Sequence, residues 1–358
     1  MTISRDRIRG LFLGVQVGDC LGMPVETFPA EDIKRLYGRI EKYLIPKDHK
    51  WFKDDPAAVY TDDTQLTIAT AEAMIESPLD MDVQAAHHVK ALKDGPKGWG
   101  RSTKNSIRRI ANGCNWANSA EPVKEGGGAG NGIAMKIAPV AAFYANGLMK
   151  INQKYGINRD TLLDNMSKIK VDDLLPFSNT YDFIHKYTNM THANPIALQA
   201  GFAQFGAIFS ALSFSEGNYN HDWFSNTVLF ETEMSQSDEM IEDPMMDNLY
   251  IRYKDMFMAF EDLTPEWIIE NFSGGDCYSF NSVPFSHFFF CKNPNSIESL
   301  FDCISAGGDT DTNGSMVGAL LGALNGTQIF PQYLIDELLQ PNLMFDLADR
   351  FCDRFDID

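Results

Sequence analysis

Gly307-Gly308-Asp309-Thr310-Asp311-Thr312-Asn313-Gly314, running on into Ser315-Met316-Val317-Gly318-Ala319-Leu320, joins a doubled acidic cluster to a run of small and apolar residues. The second half carries no strand-like alternation and predicts a helix over 314–325. The first half places two carboxylates, Asp309 and Asp311, within three residues directly before that helix. One Ser, Thr, Asp or Asn suffices to cap a helix start, and a carboxylate there also opposes the helix dipole favourably. Two carboxylates side by side repel each other unless a cation neutralises them. Alternation with hydroxyls makes an all-oxygen donor set suited to Mg²⁺, Mn²⁺ or Ca²⁺. Thr61-Asp62-Asp63-Thr64 repeats the arrangement before an amphipathic stretch marked by Leu66, Ala69, Ala73 and Met74. Neither cluster has EF-hand spacing, and spacing by itself leaves capping and metal binding equally open.

The rest of the chain reads as helices and loops. Residues 5–17 predict a short apolar helix, broken by Gly18-Asp19-Cys20-Leu21-Gly22. Helices are also expected from Thr64 to before Pro78, and over 83–93, 134–146, 193–213, 249–261 and 296–304. Residues 30–60, with Pro46 and Pro56, read as a long loop with room for one helix. Strand-like alternation is scarce, so the expected class is all-α, a compact multi-helix domain over 1–358 with an acidic insertion at about 215–273. Within it, 230–248 carries Glu231, Glu233, Asp238, Glu239, Glu242, Asp243 and Asp247 without one Lys or Arg, and reads as an exposed excursion.

Composition narrows the partners. Apolar residues make up 44% and charged residues 22% of 358, which suits a sizeable core. A net charge of −19 argues against nucleic acid, which binds by releasing counterions to Lys and Arg. No unbroken run of about 18 apolar residues occurs, so no membrane span is expected. Arg5, Arg7 and Arg9 before Leu11–Val15 resemble a signal peptide only faintly, because Gln16, Gly18 and Asp19 interrupt the run. The six cysteines are dispersed and form no C-x-x-C pair, which suits free thiols in a reducing, cytoplasmic setting.

Glu125-Gly126-Gly127-Gly128-Ala129-Gly130-Asn131-Gly132 fits neither dinucleotide-fold nor P-loop spacing. It reads equally as an anion cradle leading into a helix or as a flexible hinge. There is no G-x-S-x-G elbow and no H-E-x-x-H helix, so a serine-hydrolase elbow and a zincin are excluded.

Five segments, in order, resemble the ADP-ribosylglycohydrolase family, which includes the dinitrogenase reductase-activating glycohydrolases. They are Gly14 to Glu26, Tyr60 to Leu66, Gly130 to Pro139, Thr191 to Pro195, and Gly307 to Gly314 with its following helix. The resemblance implies an all-α metal-dependent hydrolase that removes ADP-ribose from ADP-ribosylated protein, arginine-linked acceptors being favoured. It implies two Mg²⁺ (or Mn²⁺) held by Thr61, Asp62, Asp63, Asp309, Asp311 and Thr312, with Glu26, Asp62 and Asp311 as catalytic residues. Gly128, Gly130, Asn131, Gly132 and His192 would bind the ADP-ribose. Gly274 to Pro284 resembles the family's late adenosine-side loop, which would bring Tyr278 or Phe280 to the adenine. Lys136 stands where the family often has Arg, and the 215–273 region is longer and more acidic than the family pattern. Two other readings accompany the hydrolase: an immunity protein that neutralises an ADP-ribosyltransferase toxin by binding it or reversing its modification, and an idle scaffold.

Overall fold

The structure, a computed structural model, describes residues 2–120, 128–156 and 168–358, and of 171–178 the backbone only. Gly126 and Gly127 of the glycine run lie outside the described residues. The described chain is helical without a strand, its only β-pairing being two isolated bridges, Pro29 with Gly307 and Gly130 with Tyr278. Six helices position the site: α1 (Arg5–Gly22), α2 (Asp62–Glu76), α3 (Arg101–Ala111), α4 (Pro195–Ser213), α5 (Ser279–Lys292) and α6 (Thr310–Asn325).

The centre of the fold is a pair of antiparallel helices, α1 and α6. Gly10, Gly14, Gly18 and Gly22 recur every fourth residue on one face of α1. A Cβ on Gly14 would overlap the Gly318 carbonyl of α6, one on Gly18 the Gly314 carbonyl, and one on Gly22 the Thr310 carbonyl. This contact corrects the reading of Gly18–Gly22 as a helix break. Each glycine costs a helix roughly 1 kcal/mol relative to alanine. Here the missing side chains admit a second backbone at close range, and the whole of 10–22 is buried against it.

Helix α4 is long and apolar enough by composition to cross a membrane, yet 89% of its most apolar window is buried inside the protein. Its two glutamines are satisfied there: Gln199 Nε2 donates to Thr232 O (3.0 Å), and Gln204 Oε1 pairs with His287 Nε2 (2.7 Å). Helix α5 has no such pattern to announce it. From Ser279 to Cys291 every residue but Phe280 is buried, so the amphipathic period that betrays a surface helix is absent. Residues 279–284 are therefore the first turns of a core helix rather than loop, with Pro284 inside it.

The 230–248 segment is only partly an excursion. Glu231 and Met240 are buried, and Glu231 Oε1 accepts a hydrogen bond from Tyr181 (2.8 Å). All six cysteines are free.

Candidate metal centre

Asp19, in the stretch of α1 whose glycines suggest a break, organises the centre. Its carboxylate accepts the backbone N–H of Thr61 (2.9 Å) and of Thr64 (3.0 Å) at the start of α2, and the Thr61 hydroxyl (2.8 Å). Two of the four orphan donors of that helix start are thus met from another helix. At the start of α6, Asp309 makes no side-chain cap, while Asp311 Oδ1 accepts the Thr312 N–H (2.9 Å).

The carboxylates then converge. Oxygens of Asp19, Asp63 and Asp311 lie within 4.8 Å of one another, and so do oxygens of Glu26, Asp309 and Asp311. Thr61 Oγ1 stands 2.8 Å from Asp19, 3.2 Å from Asp311 and 3.4 Å from Asp63. A hydroxyl has one proton, so at most one of these contacts is a hydrogen bond. The others set oxygen lone pairs against oxygen lone pairs. Asp63 Oδ1 is buried with no hydrogen-bond partner among the described residues. Burial first, then mutual repulsion, pushes the Asp19, Asp62, Asp63 and Glu26 carboxyls above their ordinary range. Such an arrangement fits a hard cation, which would accept the stray lone pairs and cancel the repulsion.

Backbone knots fix the cluster. Thr27, at φ 72°, donates its N–H to Gly308 O (2.7 Å), and Gly308 N–H donates to Phe28 O (3.0 Å). Glu26 is thereby tied to the loop that carries Asp309. Asp309 N–H in turn donates to Gly275 O (3.0 Å), and Asn131 Nδ2 donates to Asp309 Oδ2 (2.6 Å).

Above the cluster lies a cleft of about 680 Å³, lined by Glu26, Asp62, Asp309, Asp311 and Thr312, by the backbone of 128–132, by His192, and by Ser102, Thr103 and Lys104 at the start of α3. A larger cavity of about 1110 Å³ lies elsewhere, around Phe143, Lys150 and Lys186, and contains none of these carboxylates. Thr61 and Asp63 sit beneath the cleft, essentially fully buried. His192, pushed down to about 3 by burial and by Lys136, is neutral, and a Cβ on Gly132 would lie 2.9 Å from its ring. Lys136 is fully buried, its Nζ 5.2 Å from the Tyr187 ring centre, and burial pushes it down to about 7.

Most of the expected site residues therefore meet at one place. Tyr278 does not line the cleft. It reaches the wall through its backbone bridge to Gly130, while its hydroxyl donates to Asp247 Oδ2 (2.5 Å). Asn131 spends its side chain on Asp309 and Ser282. Sequence reasoning missed Asp19 and His49. His49 Nε2 stands 3.0 Å from Glu26 Oε2, and the residues after it, Trp51 and Phe52, line the cleft. The Gly14–Glu26 segment contained Asp19 in plain view; His49 lay in a stretch read as loop.

The fold is shared with a solved ADP-ribosylglycohydrolase-related protein complex, at TM-score 0.67 and 20% identity over 98% of both chains. In sequence, the chain is 26% identical to an uncharacterised protein of Archaeoglobus fulgidus over 96% of this chain and 95% of that protein. It is 24% identical to ADP-ribosylhydrolase ARH3 of Xenopus tropicalis, over 92% of this chain and 90% of that protein. The ADP-ribosylglycohydrolase family profile matches residues 1–357. The chain belongs to that family, and its activity is hydrolytic removal of ADP-ribose.

Proposed function

We propose that the protein removes ADP-ribose from a modified protein side chain, with arginine-linked acceptors first, using two divalent cations of which Mg²⁺ is the natural candidate. The observation that carries this reading is the pair of carboxylate groups sharing Asp311, without a cationic side chain among the residues that form them. Thr61, Asp62, Asp63, Asp309, Asp311 and Thr312 would hold the cations. When bound there, divalent cations supply charge neutralisation and Lewis acidity.

The protein's own groups divide the remaining work. Cleavage at the anomeric carbon passes through an oxocarbenium-like state, which the carboxylates lining the cleft stabilise. Glu26 handles the proton of the attacking water. The backbone at Gly128, Gly130 and Gly132 and the start of α3 suit a diphosphate, since both present N–H groups to an anion. Lys104 adds a positive charge beside them, and His192, held neutral, closes the ribose side.

The test is release of ADP-ribose from arginine-linked against serine-linked ADP-ribosyl protein, with Mg²⁺ and with EDTA. Metal-dependent release from the arginine linkage supports the reading. Release from serine alone would replace the acceptor, and release undiminished by EDTA would remove the cations from it.

A further inference from the structure

Beside the cleft lies a second cavity that hydrolysis does not use. It encloses about 570 Å³ and is walled by Met245, Met246, Ile251, Met256, Trp267 and Phe272. The strip 277–280 separates the two. Cys277 lines the cleft, and Asn131 N–H donates to its carbonyl (3.2 Å), while Phe280 lines the groove. Tyr278, between them, is hydrogen-bonded to Asp247 of the groove wall. Arg252 stiffens the same wall, its guanidinium 3.9 Å from the Phe272 ring centre and 4.2 Å from that of Phe280.

Two properties mark this groove as a docking surface. The first is exposed apolar area. Of the twelve large hydrophobic residues exposed among the described residues, seven fall between 230 and 267. Three of the seven, Met245 (89% exposed), Ile251 and Trp267, line the groove itself. Single exposed apolar residues are ordinary, whereas a cluster of them signals a binding surface. Methionine suits such a surface, because its flexible thioether fits varied partners. The second property is charge. Asp247 and Asp255 line the groove against Arg252, and the exposed Asp243, Asp262, Glu266 and Glu270 each adjoin a lining residue in the chain. Residues 230–276 as a whole hold thirteen Asp and Glu against two Lys and Arg, −11 of the chain's net −19.

That combination selects the occupant. An acidic rim around an apolar floor repels nucleic acid, an anionic lipid surface and a second copy of this acidic chain. It attracts a segment whose apolar face enters the groove while its Lys and Arg meet the rim. We propose that the groove docks a basic amphipathic segment of the acceptor protein, holding the ADP-ribosylated side chain at the adjoining cleft. This rests on the hydrolase reading, and its test separates the two.

The protein and a double variant, Met245→Ser with Ile251→Ser, are compared in two measurements. Both positions are exposed, so the fold is kept. In the first, a helical Leu/Lys peptide and its Leu/Glu counterpart are titrated by calorimetry, which needs no activity. The basic peptide is expected to bind the wild type, to lose affinity about tenfold or more in the variant, and to weaken with salt. Equal binding of both peptides, or no loss in the variant, overturns the proposal. So does sedimentation showing a self-associated protein that the substitutions convert to monomer, since the occupant would then be a second copy. In the second measurement, KM for an ADP-ribosylated basic protein should rise about tenfold in the variant, with turnover of a free ADP-ribosyl amino acid unchanged. An equal loss on both substrates places the substitutions in the cleft instead and overturns the docking role. Failure of the wild type on both substrates counts against the hydrolase reading, while the peptide titration still reports on the groove.

Discussion

His49 donates its Nε2–H to Glu26 Oε2 at 3.0 Å, and the tautomer follows from the other side of the ring. Nδ1 accepts the backbone N–H groups of Trp51 and Phe52, both at 3.1 Å, so the proton of the neutral imidazole resides on Nε2. The His49 side chain is 1% exposed, and burial lowers its basicity. It is therefore a fixed donor that orients one oxygen of Glu26, while Glu26 Oε1 takes no hydrogen bond from the described residues.

Removing the carboxylate and removing its holder should have different consequences. Glu26→Gln is expected to lower kcat by about 10²–10⁴ with little change in ADP-ribose affinity, as for loss of a proton-handling group. His49→Gln should cost less, about tenfold in kcat, and should also displace the pH–rate profile, because it changes how Glu26 is held. A pH series of single-turnover rates on both variants checks this. An unaltered profile in His49→Gln would reduce it to a packing residue.

The close approach of α1 and α6 fixes the distance between Asp19 and Asp311. Gly14→Ala or Gly318→Ala puts a methyl group into a backbone carbonyl. Overpacking of this kind costs about 1–3 kcal/mol or more, and denaturant unfolding should show it. Gly100→Ala, where a Cβ meets nothing within 4 Å, should stay within about 0.5 kcal/mol of wild type. Equal effects at the two kinds of site would mean that the helices have room to separate.

Stability should depend on pH in a direction set by the raised carboxyls. Burial and like charges push Asp19 and Asp62 up to about 7 in the folded protein. Unfolded, they titrate near the ordinary value of about 4. Between those values the metal-free folded state binds more protons than the unfolded state, so its stability falls as pH rises. Thermal unfolding in EDTA should accordingly give a lower Tm at about pH 7.5 than at about pH 5, and Mg²⁺ should raise Tm more at the higher pH. A Tm gain independent of pH would mean that Mg²⁺ acts away from these carboxylates.

The helical class and the two acidic clusters were legible because they depend on local pattern: small and apolar periodicity, and carboxylates crowded ahead of a helix. What the sequence concealed depends on contacts across the chain. Glycines every fourth residue in α1 look like breakers until α6 lies against them. Asp19 acquires its role from a helix that starts some forty residues on, whose N–H donors at Thr61 and Thr64 it accepts. His49 sits in a proline-marked loop with no period to flag it. Helix α5 is buried nearly all round, which erases the amphipathic signature by which helices are recognised. Glu231 belongs to a segment so acidic that solvent exposure was the natural reading, yet Tyr181 draws it inward.

We propose that hydrolysis depends on cations held by the carboxylates that meet at Asp311. The most direct measurement is Mg²⁺ titration of Asp311→Asn against wild type, followed both by Tm and by ADP-ribose release. Wild type should show a Mg²⁺-dependent rise in Tm together with Mg²⁺-dependent release. Asp311→Asn, relieved of one buried charge, should be at least as stable without metal, lose the Mg²⁺ response and release no ADP-ribose. A variant that keeps the wild-type Mg²⁺ response and turnover would contradict the account.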